Sequence, residues 1–140
     1  MNYLLDTNVI SELVTRQPDA NVIRWIESIA PQNVYLSVIT VGELKKGIEK
    51  LPDSRRKTAL EAWLSHDLLV RFQDHLLPLD TPIMLAWGAL VARMEAIGKP
   101  MPAIDSLIAA TTLHHSLTLA TRNTGDFEHA EIMLLNPWEF

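Results

Sequence analysis

Cysteine is absent from this sequence of 140 residues, which excludes a disulfide scaffold, a thiolate metal centre, a zinc finger and a cysteine nucleophile. A chain without thiols suits a reducing cytoplasm, and that is where we expect it to act. Long apolar runs are missing as well. No stretch reaches the roughly 18 uninterrupted apolar residues of a membrane span, and the opening MNYLLDTNVISELV lacks the basic region of an export signal. No membrane association is therefore expected. Positive charge is scarce: 12 Lys and Arg against 17 Asp and Glu give a formal net charge of -5. Most nucleic-acid binders show the opposite balance, although carboxylates gathered round a cation leave local basic patches free to act. No Gly-x-Ser-x-Gly elbow supports a nucleophilic serine, and no His-Glu-x-x-His offers a zinc site. Internal repeats and low-complexity tracts are also lacking.

What is present is an apolar chain, 48% hydrophobic, long enough for one core and one domain spanning residues 1–140. Short apolar stretches alternate with segments of helical periodicity. Tyr3-Leu4-Leu5, Val34 to Ile39, Leu76 to Asp80, Leu117 to Thr121 and Ile132 to Leu135 read as strands. Between them the spacing predicts helices after Asp6, over 19–29, from Thr40 to about Lys50, from Arg55 to about Gln73, from Thr81 through Ile97, and from the Pro102-Ala103-Ile104-Asp105 segment onward. This alternation predicts an α/β fold: a central, mostly parallel sheet of four or five strands, flanked by helices on both faces.

Four acids fall where such a sheet binds ligands, beyond the carboxyl ends of its strands. Asp6 ends the first strand, Glu43 opens the helix after the second, Asp105 lies in the first turn of a helix, and Asp126 follows the strand 117–121. Each has an ordinary structural alternative. Asp6 could cap a helix, Glu43 could complete a capping box with Thr40, Asp105 could meet a helix dipole, and Asp126 could make an Asx turn. Asp80 also ends a strand before a helix, and with Thr81-Pro82 next to it the capping reading prevails. Taken together, however, the first four acids would repel one another unless a cation lay between them. Hard oxygen ligands without His or Cys point to Mg²⁺ or Mn²⁺, and such an ion can supply hydroxide for attack on a phosphodiester. Lys45, Lys46, Arg16 and Arg122 lie near these acids in the sequence and could hold phosphates, although a solvated face is the commoner role for such residues.

Asp6-Thr7-Asn8, Thr40-x-x-Glu43-Leu44, Pro102-x-Ile104-Asp105-x-x-Ile108-Ala109-Ala110 and Thr121-Arg122-Asn123-x-x-Asp126-Phe127, in that order, resemble the motifs of the PIN-domain nucleases. The closing Asn136-Pro137-Trp138 is similar to that family's tail, so the resemblance covers the chain from Asn2 to Trp138. Within the family it looks most like the VapC and FitB type toxins of bacterial toxin-antitoxin pairs. The resemblance implies a PIN-like fold and a Mg²⁺- or Mn²⁺-dependent endoribonuclease that hydrolyses RNA, possible substrates including tRNA, with metal-activated water. It implies Asp6 and Asp105 as the principal metal ligands, with Glu43 and Asp126 completing the acidic catalytic site. Asn8, Thr121 and Asn123, which stand in the same motifs, are the supporting polar residues. Many relatives carry a further acid where this chain has Asn123, so one tightly held ion is implied rather than two. The resemblance also implies a homodimer and a small antitoxin partner that carries the complex to operator DNA. The helices from Arg55 and from Thr81 are the expected dimer or partner surfaces. The alternative is a catalytically weak, toxin-like subunit of a DNA-binding regulatory complex with a small antitoxin. A haloacid-dehalogenase type phosphatase needs a second Asp two residues after the first, and this chain has Asn8 there.

Overall fold

The structure is a computed structural model that describes residues 1–140. Its strands are β1 (Tyr3–Leu5), β2 (Val34–Ser37), β3 (Leu76–Leu77), β4 (Thr118–Ala120) and β5 (Met133–Leu135). Helices α1 (Thr7–Leu13) and α2 (Ala20–Ser28) join β1 to β2. Helices α3 (Val38–Glu49), α4 (Arg55–Trp63) and α5 (Leu69–Arg71) join β2 to β3, and α6 (Thr81–Ala96) and α7 (Ala103–His114) join β3 to β4. Every strand pair is parallel, in the order β3-β2-β1-β4-β5. The five-stranded α/β sheet thus bears out the expected fold.

Side chains alternate across the sheet, so successive residues of β1 feed opposite cores. Tyr3 and Leu5 join Val9, Trp25, Leu36 and Leu44 on one face, with Tyr3 and Trp25 edge-on at 5.1 Å between ring centroids. Leu4 joins Leu90, Ile108, Leu119 and Phe127 on the other. Fully burying one such aliphatic side chain stabilises the fold by roughly 1.5–3 kcal/mol. The chain moves from β1 out to β3 with its helices on the first face, then returns across β1 to β4 with α6 and α7 on the second. That reversal leaves a crevice between the carboxyl ends of β1 and β4.

Local structure departs from expectation in four places. β3 stops at Leu77, short of the expected Asp80, where Pro78 has no amide to donate to a sheet ladder. β2 ends at Ser37, not Ile39, and the Ser37 hydroxyl caps α3 by accepting from the Ile39 amide at 3.0 Å. The β-branched run Val38-Ile39-Thr40-Val41 reads as strand by propensity, but packing against the sheet makes it helix. Thr40 is therefore buried inside α3 and makes no capping box with Glu43. The helix expected from Arg55 to Gln73 contains a wide π turn at Leu64–Leu68, which turns Leu64 and Leu68 into the core. In α7, the apolar spacing of Ile104, Leu107, Ile108, Thr111 and Leu113 marks the helix in the sequence and predicts its inward stripe. Yet Ile104 and Leu113 are 45% and 43% exposed, and the buried surface is made by Ser106, Ile108, Ala109, Ala110, Thr111 and Thr112. These mostly small residues let α7 lie close against α6, to which Trp87 ties it by donating to the Ser106 hydroxyl at 2.8 Å. No helix is long and apolar enough to cross a membrane.

Candidate active site

The β1–β4 crevice is closed at its base by a hydrogen-bond network joining residues more than a hundred positions apart in the chain. Asp6, at the end of β1, caps α1 by accepting from the Thr7 amide at 2.8 Å. Its second oxygen accepts from the Thr121 hydroxyl at 2.8 Å and from the Asn8 amide nitrogen at 3.3 Å. Asn8 also donates to Thr121 Oγ1 at 3.1 Å and accepts from the backbone amide of Arg122 at 3.2 Å. Thr121 Oγ1 accepts in turn from the Asn123 backbone amide at 3.1 Å. Asp6, Asn8 and Thr121 therefore hold one another in fixed orientation, whereas Asn123 joins the network through its backbone amide and lines the cleft.

Glu43 enters from the neighbouring element. Because α3 begins at Val38, Glu43 sits in its second turn, where Thr7 Oγ1 donates to Glu43 Oε1 at 2.6 Å and the Thr40 hydroxyl lies 3.3 Å from the same Thr7 oxygen. Asp105 comes from the first turn of α7, with neither oxygen accepting a hydrogen bond from the protein. Burial pushes the Asp105 carboxyl up from the usual carboxylate range, and the charges of Asp6, Asp126 and Glu43 push it the same way. Three of the four expected acids thus act on the carboxyl group of the fourth. They do not share one cleft: Asp6, Glu43 and Asp105 line a cleft of about 470 Å³, while Asp126 lies on the far side of Asp105 in a second cleft of about 310 Å³.

The walls contain residues that spacing alone did not single out. Thr7, Ser11, Glu12, Thr15 and Trp138 line the larger cleft, Trp138 being its one hydrophobic group. Arg122 stands over Trp138 with its guanidinium carbon 5.2 Å from the ring centroid, a cation–π contact at the rim. Asn21 anchors the tail by donating to the Trp138 carbonyl at 2.6 Å. The middle place of Thr7 in Asp-Thr-Asn was the one available signal for its role. Lys45 is removed from the candidate phosphate binders, since it pairs with Glu49 at 2.7 Å on another face of α3.

The donor set is carboxylate, hydroxyl and amide, without imidazole or thiolate, which fits a hard divalent cation. No three of the acids stand as a ready-made cage. That openness suits Mg²⁺, which keeps several waters and takes one or two carboxylates from the protein.

Comparison with known proteins places this geometry in context. The family model of the PIN domain matches residues 3–132. Toxin FitB of Neisseria gonorrhoeae is 42% identical over 135 residues, covering 96% of this chain and 97% of that protein. A VapC ribonuclease, Y4jK, of Sinorhizobium fredii is 38% identical over 136 residues, covering 97% of each. Among solved structures, FitAB bound to the IR36 DNA fragment superposes with a TM-score of 0.93 at 38% identity, covering 99% of this chain and 96% of that one.

Proposed function

The chain belongs to the PIN-domain family, and from that premise we propose that it is a cytoplasmic endoribonuclease, the toxin of a toxin-antitoxin pair, dependent on Mg²⁺ or Mn²⁺. The observation that carries this reading is the Asp105 carboxyl, half-buried without a donor and pushed up by burial together with Asp6, Asp126 and Glu43. A structural cap would be hydrogen-bonded and would not be surrounded by like charge. Asp6 and Asp105 would hold the ion, which when bound polarises the phosphodiester and makes water a competent nucleophile. Thr121, Asn8 and the Thr7 amide hold Asp6 in one fixed orientation at the end of β1. Thr7 likewise fixes Glu43 through Oε1, leaving Oε2 without a protein donor and able to take a proton. Asp126 completes the acidic rim from the neighbouring cleft, and Arg122, steadied on Trp138, offers a cation to a substrate phosphate.

Names of the relatives support the assignment: one is a toxin and another a ribonuclease. An antitoxin partner and operator DNA reached through the complex, supported by the DNA-bound FitAB neighbour, complete the proposal together with a homodimer. The exposed Met84 and Leu85 of α6 offer an apolar surface for such partners. That same neighbour, with Asn123 in place of a further acid, also favours a second reading, a catalytically weak subunit whose work is DNA-bound regulation. Incubating the purified, partner-free protein with a pool of tRNA and rRNA in Mg²⁺, Mn²⁺ or EDTA, beside Asp6→Asn, separates the two. Cuts that need metal and vanish in the variant are expected. Intact RNA under every condition, from folded protein, would overturn the ribonuclease and leave the regulatory subunit.

A further inference from the structure

Gly42 and Gly47 stand inside α3, a helix of 12 residues, where glycine is the poorest helix former after proline. Neither has the positive φ that would call for glycine. Neither makes room for a neighbour, since outside the helix's own backbone nothing lies within 4 Å of where a Cβ would stand at either position. Backbone geometry and packing within the chain therefore leave both residues unexplained. Both are exposed on a cleft of about 470 Å³ whose lining includes Lys46, Lys50 and Ile104, and also Glu43. Glu43 lines the acidic cleft too, so the two clefts are contiguous.

The two lysines of this α3 cleft form no ion pair, although Glu43 also lines it. Lys45, Lys57, Arg71 and Arg93 each have a carboxylate partner, whereas Lys46 and Lys50, like Arg16, Arg55, Arg56, Lys99 and Arg122, have none; what sets Lys46 and Lys50 apart is that they line one cleft beside the acidic site. Two lysines one turn apart, unpaired and exposed beside the acidic site, present two cations that an anionic chain can meet together. They are about 6 Å apart along the helix axis, a spacing that successive phosphates of an extended strand can match. A docked peptide would want apolar anchors, and only two of the lining residues, Ile39 among them, are hydrophobic.

We propose that this cleft is the track for unpaired RNA on one side of the bond to be cut. Phosphates engage Lys46 and Lys50, and sugars or bases lie on the bare helix surface at Gly42 and Gly47 and against Ile104. Unpaired RNA suits a groove of this kind because a single strand can lay both backbone and base faces on the protein. The inference rests on the ribonuclease reading above and adds the path of the substrate beside the acidic site.

Binding of a fluorescein-labelled oligouridylate, followed by anisotropy across a salt series in the cleavage-disabled Asp6→Asn background, tests it. Lys46→Ala with Lys50→Ala is expected to weaken binding severalfold or more and to lower the salt slope by about 1.4, two phosphate contacts at about 0.7 each. Gly47→Leu is expected to weaken binding severalfold with the salt slope unchanged and the melting temperature not lowered, because the groove is filled while the helix gains a better former. Lys45→Ala, on the other face, is expected to bind as the background does. If the groove variants bind like the background while the protein with Asp6 intact still cuts RNA, the track is wrong and the ribonuclease stands. A background that neither binds nor, with Asp6 restored, cuts RNA removes both. Groove variants that change sedimentation without changing RNA binding would make the cleft a protein-docking face, which overturns the proposal.

Discussion

Two junctions in this molecule have nearly the same local chemistry and different fates. At each, an apolar strand is followed by Asp-Thr and then a helix: β1 leads directly into Asp6-Thr7 and α1, and β3 leads through Pro78-Leu79 into Asp80-Thr81 and α6. Each Asp caps the helix, Asp6 through the Thr7 amide at 2.8 Å and Asp80 through the Ile83 amide at 3.2 Å. The difference lies in the sheet. β3 is an edge strand, and Asp80 is exposed with that single hydrogen bond. β1 is the middle strand, where the chain reverses direction across the sheet, so β4 delivers Thr121 to Asp6 while α3 and α7 deliver Glu43 and Asp105 to the same crevice. Topological position, more than local sequence, makes a capping acid a candidate ligand.

Substitutions at the two junctions should diverge most in catalysis. Asp6→Asn keeps a capping group yet is expected to lower RNA cleavage by on the order of a thousandfold, the several kcal/mol that metal-assisted charge stabilisation contributes. Asp105→Asn should do the same, whereas Asp80→Asn should cut RNA at the rate of the unmodified protein in the same gel assay. Asp80→Asn losing cleavage as Asp6→Asn does would erase the distinction.

A smaller effect is expected from the network that only the β1 junction has. Thr121→Val keeps the shape of the side chain but removes the donor to Asp6 and the acceptor for Asn8 and Asn123. Such supporting groups typically change metal affinity or activity by about 10- to 100-fold, and a loss at the lower end is expected in the concentration of Mn²⁺ needed for half-maximal cleavage.

The smallest effect concerns acid–base linkage. The folded-state pKa of Asp105 lies above its ordinary 3.8, so folding favours the protonated form. Its stabilising contribution is complete below the unfolded value and is lost as pH rises through the raised folded value. In EDTA, unmodified protein should therefore lose stability relative to Asp105→Asn as pH climbs from about 4 toward neutrality, read as the difference between their melting temperatures at each pH.

Much of this was legible in the sequence because the signals were local. Short apolar runs bounded by turn residues identified the strands, and the acids at their ends marked the crevice. What escaped was contact between distant segments. Nothing near Thr7 shows that its hydroxyl reaches Glu43, 36 residues on, and the Thr40-x-x-Glu43 spacing offered a capping box in its place. Ser37 took the cap because tertiary packing turned a β-branched run into helix. Asp126 lies beyond Asp105 and not beside Asp6, since its short 3-10 turn swings it to the other cleft. The Arg122–Trp138 contact likewise depends on a tail anchored to α2, which no spacing rule reaches.

The most direct test of the claim that these acids form a cation site is the melting temperature of the partner-free protein in EDTA and in Mn²⁺, beside Asp105→Asn and Asp80→Asn. Unmodified protein and Asp80→Asn should both melt higher in Mn²⁺. Asp105→Asn should melt higher than unmodified protein in EDTA at neutral pH, its like-charge repulsion gone, and should gain little or nothing from the ion. An Asp105→Asn protein that melts lower in EDTA and still gains the full Mn²⁺ shift would make Asp105 a structural acid and contradict the account.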